Sequence, residues 1–542
     1  MKKNKTIPQE YYAPSSGYHP PLDFERACQI PADAPVVILY RLLQRLDFTA
    51  VDETYSPLGR KPALPPMTMF AILAYGYFCN AHSSRKIHRL CVRDIHFLWL
   101  LQGNDAPSHQ AINTFRKDHL GNGVMEDLFD QLVRELIRYG EIPCENLFID
   151  GTKLEASANP YSWVWMRAVS NYRAKLHADI KLALLYFATQ YGFRYSLDAE
   201  LPLETIWRLH DQLESLAGEL GTPFVKGSGK RKPAIQKDLE LVRDWIVRET
   251  RYVGYVEIAG ERSSFSKTDR DATFMRLKKD HMKNDQLKPA YNCQVGIEAG
   301  YFVHMAVFQY TNDHLTLKPF LSTLEERPGI RHPNICTDSG YESEEDYAFL
   351  SERGQDSYIK PANHEQAKKA AKKRKSTTSW VGKREDMAYN AEEDSYTCAN
   401  GKLLKNVGIK KEKTKTGYVR EVTIYQCDEC SGCPYRARCS KAKQDNSKQL
   451  SVSKKFVAWR EESQRNITTE FGTRLRMNRS IQAEGAFGWI KADYGFRRFL
   501  TRGVGNVGVE LLLFGFSLNV KKFHNKLARG KTGTYLHELK SA

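Results

Sequence analysis

Asp150 follows the apolar run Asn146–Ile149 and is followed by Gly151; Asp338 follows Asn334–Thr337 and is followed by Ser339-Gly340. Each pattern predicts a short strand that delivers an Asp at its carboxyl end, where open α/β sheets place their sites. An Asp after a strand also simply starts turns, so the case needs a third acid. Glu484 supplies it, in the predicted helix Arg479–Lys491, where it shares a face with Lys491 seven residues on. Two carboxylates from neighbouring strands and one from a helix make an oxygen-rich set suited to two hard cations, Mg²⁺ or Mn²⁺. Gly485 and Gly488 are poor helix formers, and their presence predicts close approach of another backbone. Downstream, Tyr494–Gly503 interleaves aromatic residues with Arg497, Arg498 and Arg502, a pattern suited to phosphate contact.

A second constellation is sulfur-based. Cys427, Cys430, Cys433 and Cys439 fall within thirteen residues, and Cys398 lies upstream beside an Asn400-Gly401 turn signal. Two-residue spacings let thiolates share one tetrahedral Zn²⁺. Cys398, Cys430, Cys433 and Cys439 are the expected ligands, with Cys427 as the alternative for the fourth place; the competing reading is a redox-sensitive cluster. A zinc here would be structural.

The chain of 542 residues is too long for one core, and its 41% hydrophobic content excludes wholesale disorder. Its formal charge of +17 favours polyanionic partners, nucleic acid first. Met1–Tyr12 is charged and lacks the apolar core of a signal peptide. The most apolar runs, Met67–Cys79 and Val509–Leu518, fall short of the ~20 residues a membrane span needs. A cytoplasmic, nucleoid-associated protein without a membrane partner is expected.

The elements that must position these residues can be read in outline. Residues 1–33 form a Pro- and Tyr-rich arm, and 34–142 a helical domain. Within that domain a helix begins after Pro65-Pro66, a basic one spans Arg85–Leu90, and another has Ser108 as its N-cap. Such short basic helices suit a helix-turn-helix module, with Lys86 and Arg89 as DNA contacts. Residues 143–361 begin a sheet interrupted by a helical insertion at about 161–253 and carry a hairpin, Ala290–Ile297 with Phe302–Tyr310. Residues 362–455 form a basic, cysteine-rich insertion containing Lys368–Lys375 and Lys410–Lys415. Residues 456–530 complete the core with the Glu484 helix, and 531–542 form a tail.

Four blocks in order resemble the DDE transposases of bacterial insertion sequences: Tyr55–Arg60 with the helices to Leu120, Phe148–Ala156, Thr337–Ser343, and Arg479–Lys491 continuing to Arg502-Gly503. Ser339 stands where the family more often has Ala, and Lys278–Lys283 leading to Pro289–Asn292 is a further similar feature. The resemblance implies an α/β fold: an RNase H-like mixed sheet of five strands, interrupted by the two insertions and preceded by the all-helical domain. It implies that Asp150, Asp338 and Glu484 converge on two metal ions, that Arg479 and Lys491 hold phosphates, and that Asp313 is at most an outer acid. The implied reaction is hydrolysis at the element's ends, then attack of the freed 3′-OH on target DNA. The implied partners are the element's inverted repeats and target DNA, bound by a homodimer assembled on them. Two alternatives carry weight: a catalytically idle DNA-binding descendant, which should show decay among the three acids, and a metal-dependent nuclease unrelated to mobility.

Overall fold

The computed structural model describes residues 30–56, 62, 64–195, 201–226, 231–277, 286–365, 380–441 and 446–535. The arm as far as residue 29, Pro57–Arg60, Lys278–Lys283 and Lys368–Lys375 lie outside the described residues. The chain divides into two compact units, Met1–His119 with Val520–Gly530, and Leu120–Asn519 with Lys531–Ala542. Among the described residues no helix is long and apolar enough to cross a membrane.

The first unit is helical: α1 Pro35–Leu43, α2 Thr49–Asp52, α3 Pro66–Phe78, α4 Ser84–Arg93, α5 Ile95–Leu101 and α6 His109–Thr114, the last continuing as a π-helical turn, Phe115–His119. Pro66 opens α3 with a φ already suited to a helix. Side chains of Ser83, Asp94 and Ser108 accept the first free N–H groups of α4, α5 and α6. α3 is buried along nearly its whole length, so it is the centre of this core. Gly76 allows that: a Cβ there would lie 2.8 Å from Ile87 Cγ1 of α4. The unit ends earlier than the sequence boundary at 142, and helix α7 (Val124–Arg138) belongs to the second unit.

The second unit is mixed α/β. Strands β1 (Asn146–Glu155), β2 (Trp163–Trp165), β3 (Ser264–Ser266), β4 (Thr273–Arg276), β5 (Leu287–Glu298), β6 (Tyr301–Phe308), β7 (Asn334–Thr337) and β8 (Asp356–Ile359) precede the cysteine-rich insertion. The main sheet runs β6-β5-β1-β7-β8, and β4 also pairs with β5, on the edge away from β1. It therefore has six strands, one more than the expected five. β1 is antiparallel to β5 and parallel to β7, and β7 is parallel to β8. Ala299 and Gly300, with φ of 51° and 75°, make the tight β5–β6 turn as two successive left-handed residues.

Two excursions leave this sheet. Helices α8 (Met166–Tyr191), α9 (Leu203–Glu219) and α10 (Ala234–Ala259) pack their own core, including Phe187, Leu213 and Trp245, and are closed at the base by the β2–β3 ladder. The insertion thus runs past the expected end near 253. After α11 (Leu317–Glu326) and α12 (Glu344–Glu352), strands β9 (Ala388–Asn390), β10 (Ser395–Thr397), β11 (Leu403–Lys413), β12 (Val419–Cys427) and β13 (Gln449–Val452) form a separate antiparallel sheet around Tyr396, Leu404 and Tyr425. The chain returns through α13 (Lys454–Thr468), whose Ser463 hydroxyl bonds both the N–H and the carbonyl of Ile359 on β8. α14 (Glu470–Arg479) follows and continues through Asp493 with two π-helical turns, Ser480–Glu484 and Trp489–Asp493. α15 (Val504–Ala528) belongs to this unit as far as Asn519.

Candidate active site

Asp150 sits in the middle of β1 and not at its end, because Gly151–Glu155 keeps pairing with Gln294–Ala290 of β5. A glycine inside a strand marks close approach of another group. Here the group is Gln294, whose amide nitrogen would overlap a Cβ at position 151. Asp338 lies just past β7, as expected. The last paired residues of β1 and β7 are Phe148 and Cys336. Asp150 and Asp338 each lie two residues beyond that last pair, and both are close enough to the Tyr341 hydroxyl to raise it.

Asp150 is 8% exposed. Its Oδ1 accepts from the Gly151 N–H at 2.8 Å, and its Oδ2 from Arg479 Nη1 at 3.2 Å. Asp338 accepts the Gly340 N–H at 2.8 Å and starts a short 3₁₀ turn. Asp313 joins them: an ideal Cβ on Gly340 would lie 3.0 Å from Asp338 Oδ1 and 3.4 Å from Asp313 Oδ2. Asn292 and Gln294 donate to Asp313 Oδ1 at 2.8 and 3.2 Å, and the Tyr341 hydroxyl donates to the Gln294 carbonyl. Burial first, and then Asp313, Asp150 and Asp338, push the Tyr341 hydroxyl well above its usual pKa. It keeps its proton and stays a donor.

Glu484 is exposed and makes no hydrogen bond or ion pair among the described residues. Its helix is pinned to β1 on either side of it. Arg479 holds Asp150 on one side; on the other, Lys491 Nζ donates to Thr152 Oγ1 and reaches the Lys153 carbonyl at 3.5 Å. Gln482 accepts the Gly300 N–H at 2.7 Å, fixing the intervening turn to the β5–β6 hairpin. The oxygens of Asp150, Asp338 and Glu484 do not gather within 4.8 Å of one another. A Cβ on Gly485 or Gly488 would meet nothing, so the expected backbone approach is absent within the described chain.

Among the described residues two acid-containing groups do gather within 4.8 Å, Cys144/Glu298/His332 and His210/Asp211/Glu214. Glu298 is already occupied by the N–H groups of Cys144, Glu145 and Asn146 and by His332. Arg243 occupies His210 and Glu214 in the second group. Both are structural locks.

The basic stretch after Lys491 serves the sheet directly. Arg498 donates to the carbonyls of Ala156 and Ala158 at 3.1 and 2.9 Å, and Arg502 to that of Ser157 at 2.7 Å. Glu155 exchanges main-chain hydrogen bonds with Arg497 and Phe499, prolonging the sheet by an isolated bridge. Arg497 reaches the Lys491 carbonyl at 3.5 Å.

Sequence reasoning did not single out Asn292, Gln294 and Tyr341, which surround Asp313. Its one available signal was Asn292 and Gln294 alternating with Tyr291, Cys293, Val295 and Ile297. In a strand buried on both faces, two polar side chains on one face require partners.

All five cysteines line one small cavity of about 20 Å³, with Lys448 and Arg436 at its edge. No three sulfurs lie within 4.8 Å of one another. Cys427 ends β12 at 2% exposure, packs with Tyr425 and Leu404, and points its thiol at the Glu429 carbonyl at 3.6 Å. Burial pushes that thiol up to about 12. Cys430 Sγ accepts the Lys448 N–H at 3.3 Å, as a thiolate ligand would. Burial, with Cys398, Cys430 and Cys433 nearby, raises Cys439.

Comparison with known families agrees with this architecture. Residues 397–524 match the model described as a transposase DDE domain, which covers Glu484 and all five cysteines. Residues 24–118 match a transposase domain, DUF772, over the helical first unit. No curated protein and no solved structure matches the chain. The two matches, in the order the sequence resemblance requires, indicate a DDE-type transposase of an insertion element.

Proposed function

We propose that this transposase cuts DNA at the ends of its element and joins the freed strand to target DNA. Asp150, Asp338 and Glu484 would hold two Mg²⁺ or Mn²⁺ ions in an RNase H-like core. The observation that carries this reading is that Asp150 on β1 and Asp338 just past β7 each lie two residues beyond the last pair of the parallel β1–β7 ladder, with the Glu484 helix pinned to β1 by Arg479 and Lys491. The order β6-β5-β1-β7-β8, with only β5 reversed against β1, supports the RNase H-like assignment.

The donor set fits hard cations, since every group presented is a carboxylate oxygen. Bound there, the ions supply Lewis acidity toward the scissile phosphodiester. The chain supplies the rest. Asp150, Asp313 and Asp338 bring three carboxylates to one site, and the Arg479 guanidinium holds Asp150 there. The rigid sheet holds Asp150 and Asp338 in register, and Glu484 is presented without a competing partner. Arg479 and Lys491 keep two cations beside the acids, where phosphate oxygens must come. Cys398, Cys430, Cys433 and Cys439 would hold a structural zinc, with Cys427 packed into the module's core. A nucleoid-associated homodimer on paired element ends completes the reading. The test is cleavage of a duplex carrying the element's terminal repeat by Glu484→Gln, with DNA binding measured in parallel: loss of cleavage with binding retained is expected, and full cleavage overturns the assignment.

A further inference from the structure

Asp313 is the carboxylate in the site on which the fold spends the most buried polar structure. Asn292 and Gln294 are both 0% exposed, and both point their amides at its Oδ1. Gln294 is itself held by the wholly buried Tyr341 hydroxyl, from the residue that follows Asp338-Ser339-Gly340. Its amide occupies the space a side chain at position 151 would need. Below, Thr316 closes the turn by donating from both its N–H and its hydroxyl to the Asp313 carbonyl. Elements from β1, β5, the β6–α11 turn and the β7–α12 turn thus converge on one side chain. Burying amides and a phenol costs stability unless each is satisfied. Satisfying them here fixes Oδ1 and leaves Oδ2 beside Gly340, where a Cβ would lie 3.4 Å from it and 3.0 Å from Asp338 Oδ1. A folding role alone would not require that second oxygen to be placed near another carboxylate, where like charges repel.

We propose that Asp313 is a fourth metal-facing acid, anchored through Oδ1 so that Oδ2 shares a divalent cation with Asp338 and Asp150. The inference rests on the two-metal reading above and deepens it. Pre-organising a ligand through a partner on its other oxygen is how outer hydrogen bonds tune metal affinity, typically by tenfold or more. Asn292 and Gln294 are then positioning residues, acting through Asp313.

The experiment is Mn²⁺ binding to the full chain without DNA, followed by electron paramagnetic resonance, with melting temperature recorded for each variant. Asp313→Asn should weaken Mn²⁺ at least about tenfold, and Asp150→Asn and Asp338→Asn should do likewise. Tyr341→Phe, which leaves every carboxylate in place but frees Gln294, should weaken it less and still measurably. In end cleavage, Asp313→Asn should shift the Mn²⁺ requirement upward and regain rate at high Mn²⁺. Wild-type Mn²⁺ affinity in Asp313→Asn, with the other two Asp variants impaired, overturns this inference alone. Unchanged affinity in all three overturns the metal site itself. Should Asp313→Asn fail to fold, Tyr341→Phe decides: unaltered Mn²⁺ affinity there refutes the anchoring.

Discussion

Arg479 Nη1 donates to Asp150 Oδ2 at 3.2 Å, joining residues 329 positions apart and docking the Glu484 helix on the central strand. The side chains are only 16% and 12% exposed, so the pair is shielded from solvent. The divalent cation proposed at this site would compete with this guanidinium for the same carboxylate.

That competition gives a first prediction. Arg479→Gln should lower stability in metal-free buffer by about 1–3 kcal/mol, the cost of leaving a mostly buried charge without its ionic partner. Mg²⁺ should then raise the melting temperature more in the variant than in the wild type, because the cation supplies the missing charge. Thermal melts with and without Mg²⁺ check it; equal shifts would show that metal and Arg479 do not share Asp150.

Cleavage by Asp150→Asn, Asp338→Asn and Glu484→Gln should each fall by orders of magnitude with DNA binding retained. The losses should not add in combination, since groups that act as one unit fail together. Glu342 serves a different purpose. Arg460 clamps its carboxylate at 2.7 and 3.0 Å, and the Ala362 N–H donates to it at 2.9 Å. Glu342→Gln should therefore lower the melting temperature while leaving the metal requirement of cleavage unchanged.

Local chemistry made much of this legible. The Ala299-Gly300 turn, the Ser108 cap and the apolar runs before Asp150 and Asp338 depend on nearest neighbours, and the structure contains each of them. What escaped depends on distant residues. Gly151 looked like the end of a strand because nothing nearby shows that Gln294 fills its side-chain space. Arg498 and Arg502 were expected as phosphate contacts, and nothing nearby in sequence shows that they also hold the carbonyls of Ala156–Ala158. The π-helical turns around Glu484 shift the face it presents, and α-helical periodicity does not contain them.

Zinc makes a separate prediction. Purified, unchelated protein should carry about one zinc per chain. Cys430→Ser and Cys433→Ser should lower zinc content and destabilise the β9–β13 module, because such sites fold with their metal. Cys427→Ser should keep the zinc. Retention of zinc by Cys430→Ser together with its loss in Cys427→Ser would reverse the ligand assignment.

The last prediction concerns end recognition by the helical unit. Lys86 Nζ donates to the Asn80 carbonyl at 2.9 Å, which ties this expected DNA contact to its own fold. Arg89 is exposed on α4. Across α6 and its π-helical continuation, Gln110, Asn113, Thr114 and Lys117 are all exposed at spacings that place them on one face. Ile112, Phe115 and Arg116 anchor the opposite face, with Arg116 donating to the Tyr77 hydroxyl and the His82 carbonyl. An open concavity of about 620 Å³ lies between this face and the start of α4, with Arg85 on its wall. Amide side chains on an exposed helix suit the bidentate edge of adenine, and Lys117 suits a phosphate. In the full chain, Gln110→Ala and Asn113→Ala should each cost about 1–3 kcal/mol on the terminal repeat and little on random duplex. Lys117→Ala should weaken both alike and lessen the steepness with which affinity falls as salt rises. Competition binding with terminal and random duplexes across a salt series distinguishes these outcomes. Equal losses on both duplexes for Asn113→Ala would remove α6 as the reading helix.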